Sequence, residues 1–201
     1  MAVTRWDVRV AVRQARRLRS EKGVIRICWD LDNTLVNSGD LLRAGGRLED
    51  AIVEAEPVPN MLDLYEAMGA DLPSAVHFIL SARTRGMRRE TVAWLSRHGI
   101  SPADAVVCFV PYVQAKPKVW AELARDARLV IVDDLSYNHE TEKVGTYHDL
   151  VAVAERIAYV YIGLNEIAEI AGNPTAVGAV VTRTAESVAA SSRSAVTRSP
   201  T

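Results

Sequence analysis

The chain has 201 residues and a formal net charge of −1, with 49% hydrophobic and 24% charged residues. Such a composition supports one globular domain with an appendage, and it excludes a strong overall electrostatic attraction to nucleic acid or to a membrane surface. No apolar run is long enough for a membrane span, and the N-terminus lacks the apolar core of a signal peptide. Because Cys28 and Cys108 both lie in apolar runs, we expect buried, reduced thiols in a cytoplasmic protein.

Hydrophobic periodicity predicts helices that alternate with short apolar strands. The predicted helices are 4–21, 61–70, 88–100, 118–127, 147–157 and, with a weaker pattern, 165–171; the predicted strands are 24–28, 75–81, 105–110, 128–134 and 158–162. Continuously apolar strands that alternate with helices favour a mainly parallel sheet covered on both faces. The sequence therefore predicts a three-layer α/β fold, with ligands at the carboxyl ends of the strands.

Composition divides the chain into three regions. Residues 1–23 hold seven Lys and Arg residues against two acidic ones. They are predicted to form a basic helix that is either solvated and packed by one edge, which the pattern favours, or turned toward phosphates. Residues 24–172 form the predicted α/β domain. From residue 173 to residue 201 the periodic pattern gives way to Ala, Val, Ser, Thr and Arg, which indicates a disordered tail.

Polar residues gather where the predicted strands end. In chain order they are Asp30, Asp32, Asn33 and Thr34; then Ser81, Arg83 and Arg85; then Lys116 and Lys118; and finally Asp133, Asp134 and Asn138. Each group alone has an ordinary explanation, such as a helix cap or a turn. Their order, each after an apolar strand, is more specific than any one of them. The ends of parallel strands share one edge, so carboxylates, a hydroxyl and an ammonium should meet there, an oxygen-rich set that suits Mg²⁺.

Four segments resemble the motifs of the haloacid dehalogenase-like superfamily of phosphohydrolases: "WDLDNTL", "FILSAR", "AKPKVW" and "IVDDLSYN". The resemblance covers roughly residues 24 to 160. It implies a Rossmann-like sheet and a Mg²⁺-dependent mechanism that passes through an aspartyl-phosphate.

The resemblance also implies roles for single residues. Asp30 would be the nucleophile, and Asp32 the general acid and then the general base. Ser81 would donate to a phosphoryl oxygen, and Lys116 or Lys118 would neutralise charge; the "KP" pair favours Lys116, and the predicted helix start favours Lys118.

The same resemblance implies a metal site and a substrate side. Mg²⁺ would be held by Asp30, the backbone carbonyl of Asp32 and Asp134, with Asp133 or Asn138 in support. Thr34 would fix the loop after the first strand. Thr34, Arg83, Lys118 and Asn138 are the predicted substrate-side residues.

The chemistry of phosphoryl transfer explains the paired aspartates. A carboxylate that attacks a phosphate dianion meets repulsion, which a divalent cation and a lysine relieve. The leaving oxygen needs a proton, so a second carboxyl group must lie nearby. Neighbouring negative charge raises the pKa of such a carboxyl group above its usual value of about 3.9.

Spacing limits the substrate only loosely. Segment 36–56 is the room available for a lid, and no large cap domain is expected. An open site admits small phosphate esters and also bulkier substrates such as nucleic-acid ends. A phosphorylated small molecule is the expected partner, and a nucleic-acid end is the second choice. Homo-oligomers are also compatible with the sequence. Arg88 and Arg89 are either solvated on a first helical turn or, with Arg83, part of a phosphate-binding rim.

Three other functions fit parts of this pattern. A receiver domain would place its acidic pair first and its lysine near the end, which is a different order. A silent binding module would not need the whole set of polar residues, and a phosphotransferase would share all of it. His139 and Glu140 are expected in a loop beside the site; His77, Trp94 and Trp120 are expected in the core, and Trp29 beneath the site.

Overall fold

The computed structural model describes residues 6–17, 25–45, 52–101, 105–139 and 143–196. The strands are β1 (Ile25–Trp29), β2 (Ala75–Ser81), β3 (Ala105–Phe109), β4 (Arg128–Val132), β5 (Ser136–Tyr137), β6 (Gly145–Thr146) and β7 (Val160–Ile162). The helices are α1 (Trp6–Arg17), α2 (Ser38–Arg43), α3 (Met61–Asp71), α4 (Arg88–Arg97), α5 (Lys116–Ala124), α6 (His148–Ile157), α7 (Leu164–Gly172) and α8 (Ala176–Val196).

Five of the strands form one parallel sheet in the order β3-β2-β1-β4-β7, so the predicted Rossmann-like α/β fold is confirmed. The central strand β1 is buried along its whole length, which its continuous apolar sequence predicts. Trp29 pairs with Ile79 of β2 on one side and with Val132 of β4 on the other. The residues that follow Trp29 and Val132 are therefore neighbours at the carboxyl edge of the sheet.

Side chains of β1 alternate between two layers of helices. Ile27 and Trp29 pack in a cluster with residues of α3, α4, α7 and α8. Cys28 faces the other cluster, which includes residues of α1, α5 and α6. Both thiols are buried and free, and burial raises the pKa of Cys28 and raises that of Cys108 to about 12, so neither thiol is reactive.

The chain reverses its direction across the sheet between β1 and β4. From β1 it proceeds to β2 and β3 on one side, and it then returns to β4 and β7 on the other side. At such a switch point the connections leave the two strand ends in opposite directions, and a crevice opens between them. The fold therefore places a crevice at the residues that follow β1 and β4.

The C-terminal segment corrects one prediction. A disordered tail was expected from residue 173, but Ala176–Val196 form helix α8. Val180, Thr184 and Val188 are buried at a spacing of four residues, and α8 contacts α3. The prediction of disorder is wrong for α8 because small Ala, Val and Thr side chains repeat at a helical period and allow close packing.

The N-terminal helix packs by an edge of small residues. Ala11 and Ala15 of α1 are buried against the cluster that contains α5, while Arg9 and Arg13 are exposed. Arg16 donates to Glu122 at 3.1 Å. Of the two alternatives for this helix, the structure shows edge packing; residues 4–5 and 18–21 of the predicted helix lie outside the described residues. Of the helices in the described ranges, none has both the length and the apolar character needed to cross a membrane.

Candidate functional site

Three aspartates meet at the crevice between β1 and β4. Asp30 follows β1 directly, and its backbone N–H donates to the carbonyl of Val132 at 2.9 Å, which extends the strand pairing by one residue. Asp133 and Asp134 follow β4. One ligand oxygen from each of Asp30, Asp133 and Asp134 lies within 4.8 Å of the others, and all three residues are buried. We call these residues the aspartate triad; the prediction that Asp30 and Asp134 share one edge is confirmed.

Lys116 is the cation within this cluster. Its Nζ lies 2.9 Å from Oδ1 of Asp30 and 2.7 Å from Oδ2 of Asp133. The helix α5 starts at Lys116, with Pro117 in its first turn, so the lysine points back from the helix start into the site. Lys118 is exposed, because two residues along a helix correspond to a rotation of about 200°. The structure thus places Lys116 in the site and Lys118 outside it.

Burial dominates the electrostatics of the cluster. Burial raises the pKa of Asp30 well above its usual range; Lys116 opposes this shift, and Asp133 and Asp134 add to it. Burial raises the pKa of Asp133 in the same way, again against Lys116. Burial alone would lower the pKa of Lys116, but the attraction of Asp133 and Asp30 outweighs it and the pKa is raised. Lys116 therefore stays charged, but its single positive charge does not balance the negative charges of the three triad aspartates.

The loops that carry the triad are fixed by hydrogen bonds and by left-handed backbone conformations. Thr34 is fully buried; its hydroxyl lies 3.2 Å from Oδ1 of Asp134 and accepts the Asp134 backbone N–H at 3.2 Å. Asn33 and Leu135 have φ values of 58° and 46°. For Leu135 this conformation costs about 1–2 kcal/mol, and it turns the chain so that the leucine is buried beside the triad. Thr34 thus positions Asp134; its predicted contact with a substrate stays a prediction.

Asp32 is held by Arg83. The guanidinium of Arg83 donates to both carboxylate oxygens of Asp32, at 2.9 and 2.8 Å, and to Thr91 at 3.2 Å. The Arg83 side chain is 1% exposed and that of Asp32 is 26% exposed. Ser81 is fully buried, and its hydroxyl accepts the backbone N–H of Arg83 at 3.1 Å. Arg83 therefore supports Asp32 from below instead of standing on a phosphate-binding rim.

The loop after β4 contributes two further polar groups. Ser136 hydrogen-bonds both to Asp134 and to the His139 ring. Nε2 of His139 lies 3.4 Å from Oδ2 of Asp134. This contact agrees with the interpretation of His139 as a loop residue beside the site, whereas Glu140 lies outside the described residues. Asn138 is exposed and has a φ of 62°, a left-handed conformation that turns the loop.

Helix α2 and its neighbouring residues lie beside this loop. Gly39 donates its backbone N–H to Asn33 at 2.7 Å, and a Cβ at this glycine would lie 3.0 Å from the same oxygen and 3.2 Å from Cβ of His139. Arg43 donates to the carbonyl of His139 at 2.9 Å. Helix α2 lies within segment 36–56, where a lid is predicted; of that segment the structure describes residues 36–45 and 52–56.

The triad opens into a cavity of about 180 Å³, which we call the triad cavity. The lining of this cavity includes the three triad aspartates, Asp32 and Lys116, together with Ala82, Val113, Leu135, Ser136 and Tyr147. Sequence reasoning missed Ser136 and Tyr147. Ser136 follows the "DD" pair closely, and its position was a usable signal; Tyr147 enters from a later loop, where no local pattern of residues marks it.

The triad could hold a metal ion. It presents three buried carboxylates against one buried ammonium, so a cation would relieve repulsion that the described residues leave uncompensated. Carboxylate oxygens are hard ligands of the kind that Mg²⁺, Ca²⁺ and Mn²⁺ prefer. The carboxylate of Asp32 is turned to Arg83 and lies outside the triad; the predicted contribution of its backbone carbonyl to the metal stays a prediction.

Comparisons of the chain with protein-family models, with curated proteins and with solved structures give no match. The chain is therefore defined by its fold and its site, as a parallel α/β protein with a buried aspartate triad at the switch point of the sheet.

Proposed function

We propose that the protein is a Mg²⁺-dependent phosphomonoester hydrolase of the haloacid dehalogenase-like type. The observation that carries the proposal is the meeting of Asp30 with Asp133, Asp134 and Lys116 at one crevice, with Asp32 two residues away in the same cavity. Folding gains nothing from buried carboxylates in excess of their cations. Attack on a phosphate needs this arrangement, because the nucleophile and its charge-compensating groups must lie together.

Asp30 is the proposed nucleophile. One of its carboxylate oxygens forms a bond to phosphorus while the bond from phosphorus to the ester oxygen breaks, which leaves an aspartyl-phosphate and an alcohol. Lys116 stays charged beside Asp30 and stabilises the negative charge that the phosphoryl oxygens carry. A bound Mg²⁺, held by Asp30 and Asp134 with Asp133 near them, would supply further charge neutralisation.

Asp32 is the proposed proton-transfer group. Arg83 fixes its orientation while part of the carboxylate stays exposed to the triad cavity. From this position it can give a proton to the leaving oxygen and later accept one from the water that hydrolyses the aspartyl-phosphate. The same residues would serve transfer to another acceptor, so a phosphotransferase is the neighbouring activity. The proposed partner is a phosphorylated small molecule.

A panel of phosphate esters tests the proposal. The chelator-treated protein is offered p-nitrophenyl phosphate, sugar phosphates, nucleotides and 3′-phosphorylated oligonucleotides, with and without Mg²⁺. We expect release of phosphate only with the metal. In the Asp32→Asn protein, ³²P-labelled substrate should leave a covalent label that hydroxylamine removes, as an acyl-phosphate requires. Turnover without metal, or no turnover of any ester, would contradict the proposal.

A further inference from the structure

We propose that the substrate is a nucleoside monophosphate whose base lies on a pair of tyrosines beside the triad cavity; this inference rests on the proposed function. A second cavity of about 420 Å³ is lined by Tyr137, Tyr147, Gln114, Thr146, His148 and Asp149. We call it the tyrosine cavity. Tyr147 lines both it and the triad cavity, so the two cavities are neighbours across one side chain.

The two tyrosines form an aromatic surface whose position is fixed by neighbouring backbone. Their ring centroids lie 4.8 Å apart with planes at 49°. Tyr137 belongs to the β5–β6 hairpin, where it pairs with Gly145, and the backbone N–H of Tyr147 donates to Leu135 at 2.8 Å. A Cβ at position 145 would clash with the Tyr137 ring, so the glycine lets this ring lie across the hairpin. Tyr137 nevertheless stays 39% exposed. Exposed aromatic faces of this kind stack nucleobases.

The division into two cavities favours a nucleotide over an aryl phosphate. An aryl phosphate carries its ring directly on the ester oxygen, so that the ring would share the smaller triad cavity with the phosphate. A nucleoside monophosphate has a sugar between the two. This spacer lets the phosphate reach Asp30 while the base reaches Tyr137. Gln114 and Thr146 offer hydrogen-bonding groups for the polar edge of a base.

The charge of the cavity linings favours a single nucleotide over a polynucleotide. Among its described lining residues the tyrosine cavity has the carboxylate of Asp149 and no Lys or Arg. A third cavity, of about 500 Å³, shares Asp134 with the triad cavity and Thr146 and His148 with the tyrosine cavity. It is also lined by Glu155 and Glu166, and it likewise has no Lys or Arg among its described lining residues. Polynucleotide binding depends on Lys and Arg at the phosphates. One nucleotide has a single phosphate, which the triad site itself takes.

The test compares phosphate esters that differ in whether they carry a nucleobase. Values of kcat/KM are measured with Mg²⁺ for adenosine 5′- and 3′-monophosphate, for ribose 5-phosphate, for a 3′-phosphorylated oligonucleotide and for a phosphotyrosine peptide. We expect an adenosine monophosphate to be the best substrate. In Tyr137→Leu the ratio of kcat/KM for this nucleotide over ribose 5-phosphate should fall about 5- to 150-fold, the loss of one stacked base. Tyr112→Leu, which removes an exposed tyrosine that is absent from the described lining of all three cavities, is the matched control and should keep the ratio.

Several outcomes would overturn the inference while leaving the proposed function intact. These are equal turnover of ribose 5-phosphate and the nucleotides, an unchanged ratio in Tyr137→Leu, or a preference for the oligonucleotide or the peptide. Calorimetric titration of the Asp30→Asn protein with adenosine monophosphate separates the two claims. If the native protein hydrolyses no phosphate ester, but the Asp30→Asn protein binds adenosine monophosphate and Tyr137→Leu weakens that binding, the base site is supported and the proposed function is contradicted.

Discussion

Two polar clusters meet at consecutive residues, the last residue of β1 and the one that follows it, and they differ in charge. Trp29 points to one face of the sheet, where its Nε1 donates to Nδ1 of His77 at 3.1 Å and its ring lies 5.2 Å from that of Tyr65. We call these three residues the histidine cluster. Asp30, the next residue, belongs to the aspartate triad and contacts Lys116.

The comparison shows which polar groups the fold itself requires. The Trp29–His77 hydrogen bond in the histidine cluster joins neutral groups, as is usual for polar atoms inside a core. In the triad, three buried carboxylates share one lysine, and burial and mutual repulsion raise the pKa of Asp30. The first arrangement stabilises the fold, and the second opposes it. We therefore propose the aspartate triad as the functional cluster of the two, and four experiments test this difference.

The largest expected effect is on activity. Asp30→Asn should lower the rate of p-nitrophenyl phosphate hydrolysis by at least about 10³-fold, because an amide cannot form the acyl-phosphate. Circular dichroism should remain that of the native protein, since Asp133 still pairs with Lys116. Asp63→Asn changes an exposed aspartate of α3 and should retain full activity. Activity that survives in Asp30→Asn would remove Asp30 from its proposed role.

The next effect is on stability without metal. Lys116→Met leaves Asp30 and Asp133 buried without their cation, and the free energy of unfolding in urea should fall by about 3–5 kcal/mol. Lys118→Met, two residues along the same helix but exposed, should change it by no more than about 0.5 kcal/mol. Equal losses in the two variants would mean that the contacts of Lys116 do not stabilise the fold.

Binding of Mg²⁺ should stabilise the protein through the triad. At a concentration 100 times its dissociation constant, the metal should raise the free energy of unfolding by about 2.7 kcal/mol, which a shift in Tm reports. Asp134→Asn should lose most of this gain, while Asp71→Asn, at an exposed position of α3, should keep it. A full Mg²⁺ response in Asp134→Asn would place the metal elsewhere.

Changes in the histidine cluster should lower stability without changing activity or the Mg²⁺ response. His77→Leu deprives the buried Trp29 N–H of its acceptor and should cost about 1–3 kcal/mol of stability. Activity per folded molecule and the Mg²⁺ response should not change. Adding Trp29→Phe removes the donor as well, so the double variant should lose less than the sum of the single losses. Additive losses would show that this hydrogen bond does not contribute.

Local periodicity predicted the five strands of the sheet and most of its helices. Apolar runs such as 24–28 and 75–81 correspond to β1 and β2, because a strand buried on both faces must be apolar throughout. The tail was mispredicted because the small residues of α8 give a weak hydrophobic signal, although their spacing suits close packing against α3. The β5–β6 hairpin was missed because its two-residue strands are too short to show alternation.

The candidate site was predicted in part. Asp30, Asp133 and Asp134 could be placed together because each follows an apolar strand, and parallel strand ends share an edge. The pairing of Arg83 with Asp32 could not be predicted, since an arginine near a strand end can as well face a phosphate. Asn138 and Lys118 were expected on the substrate side, but the structure leaves both exposed and outside the described lining of the triad cavity.

The sequence by itself determined the order of strands and helices and the polar residues that end each strand, because these follow from patterns a few residues long. Tertiary structure alone decided which lysine enters the triad, which carboxylate Arg83 holds, and that Tyr137 and Tyr147 stand together beside the triad cavity. These contacts join residues far apart in the chain or depend on where a helix turn begins. Their geometry is set by packing between elements, which no local pattern of residues encodes.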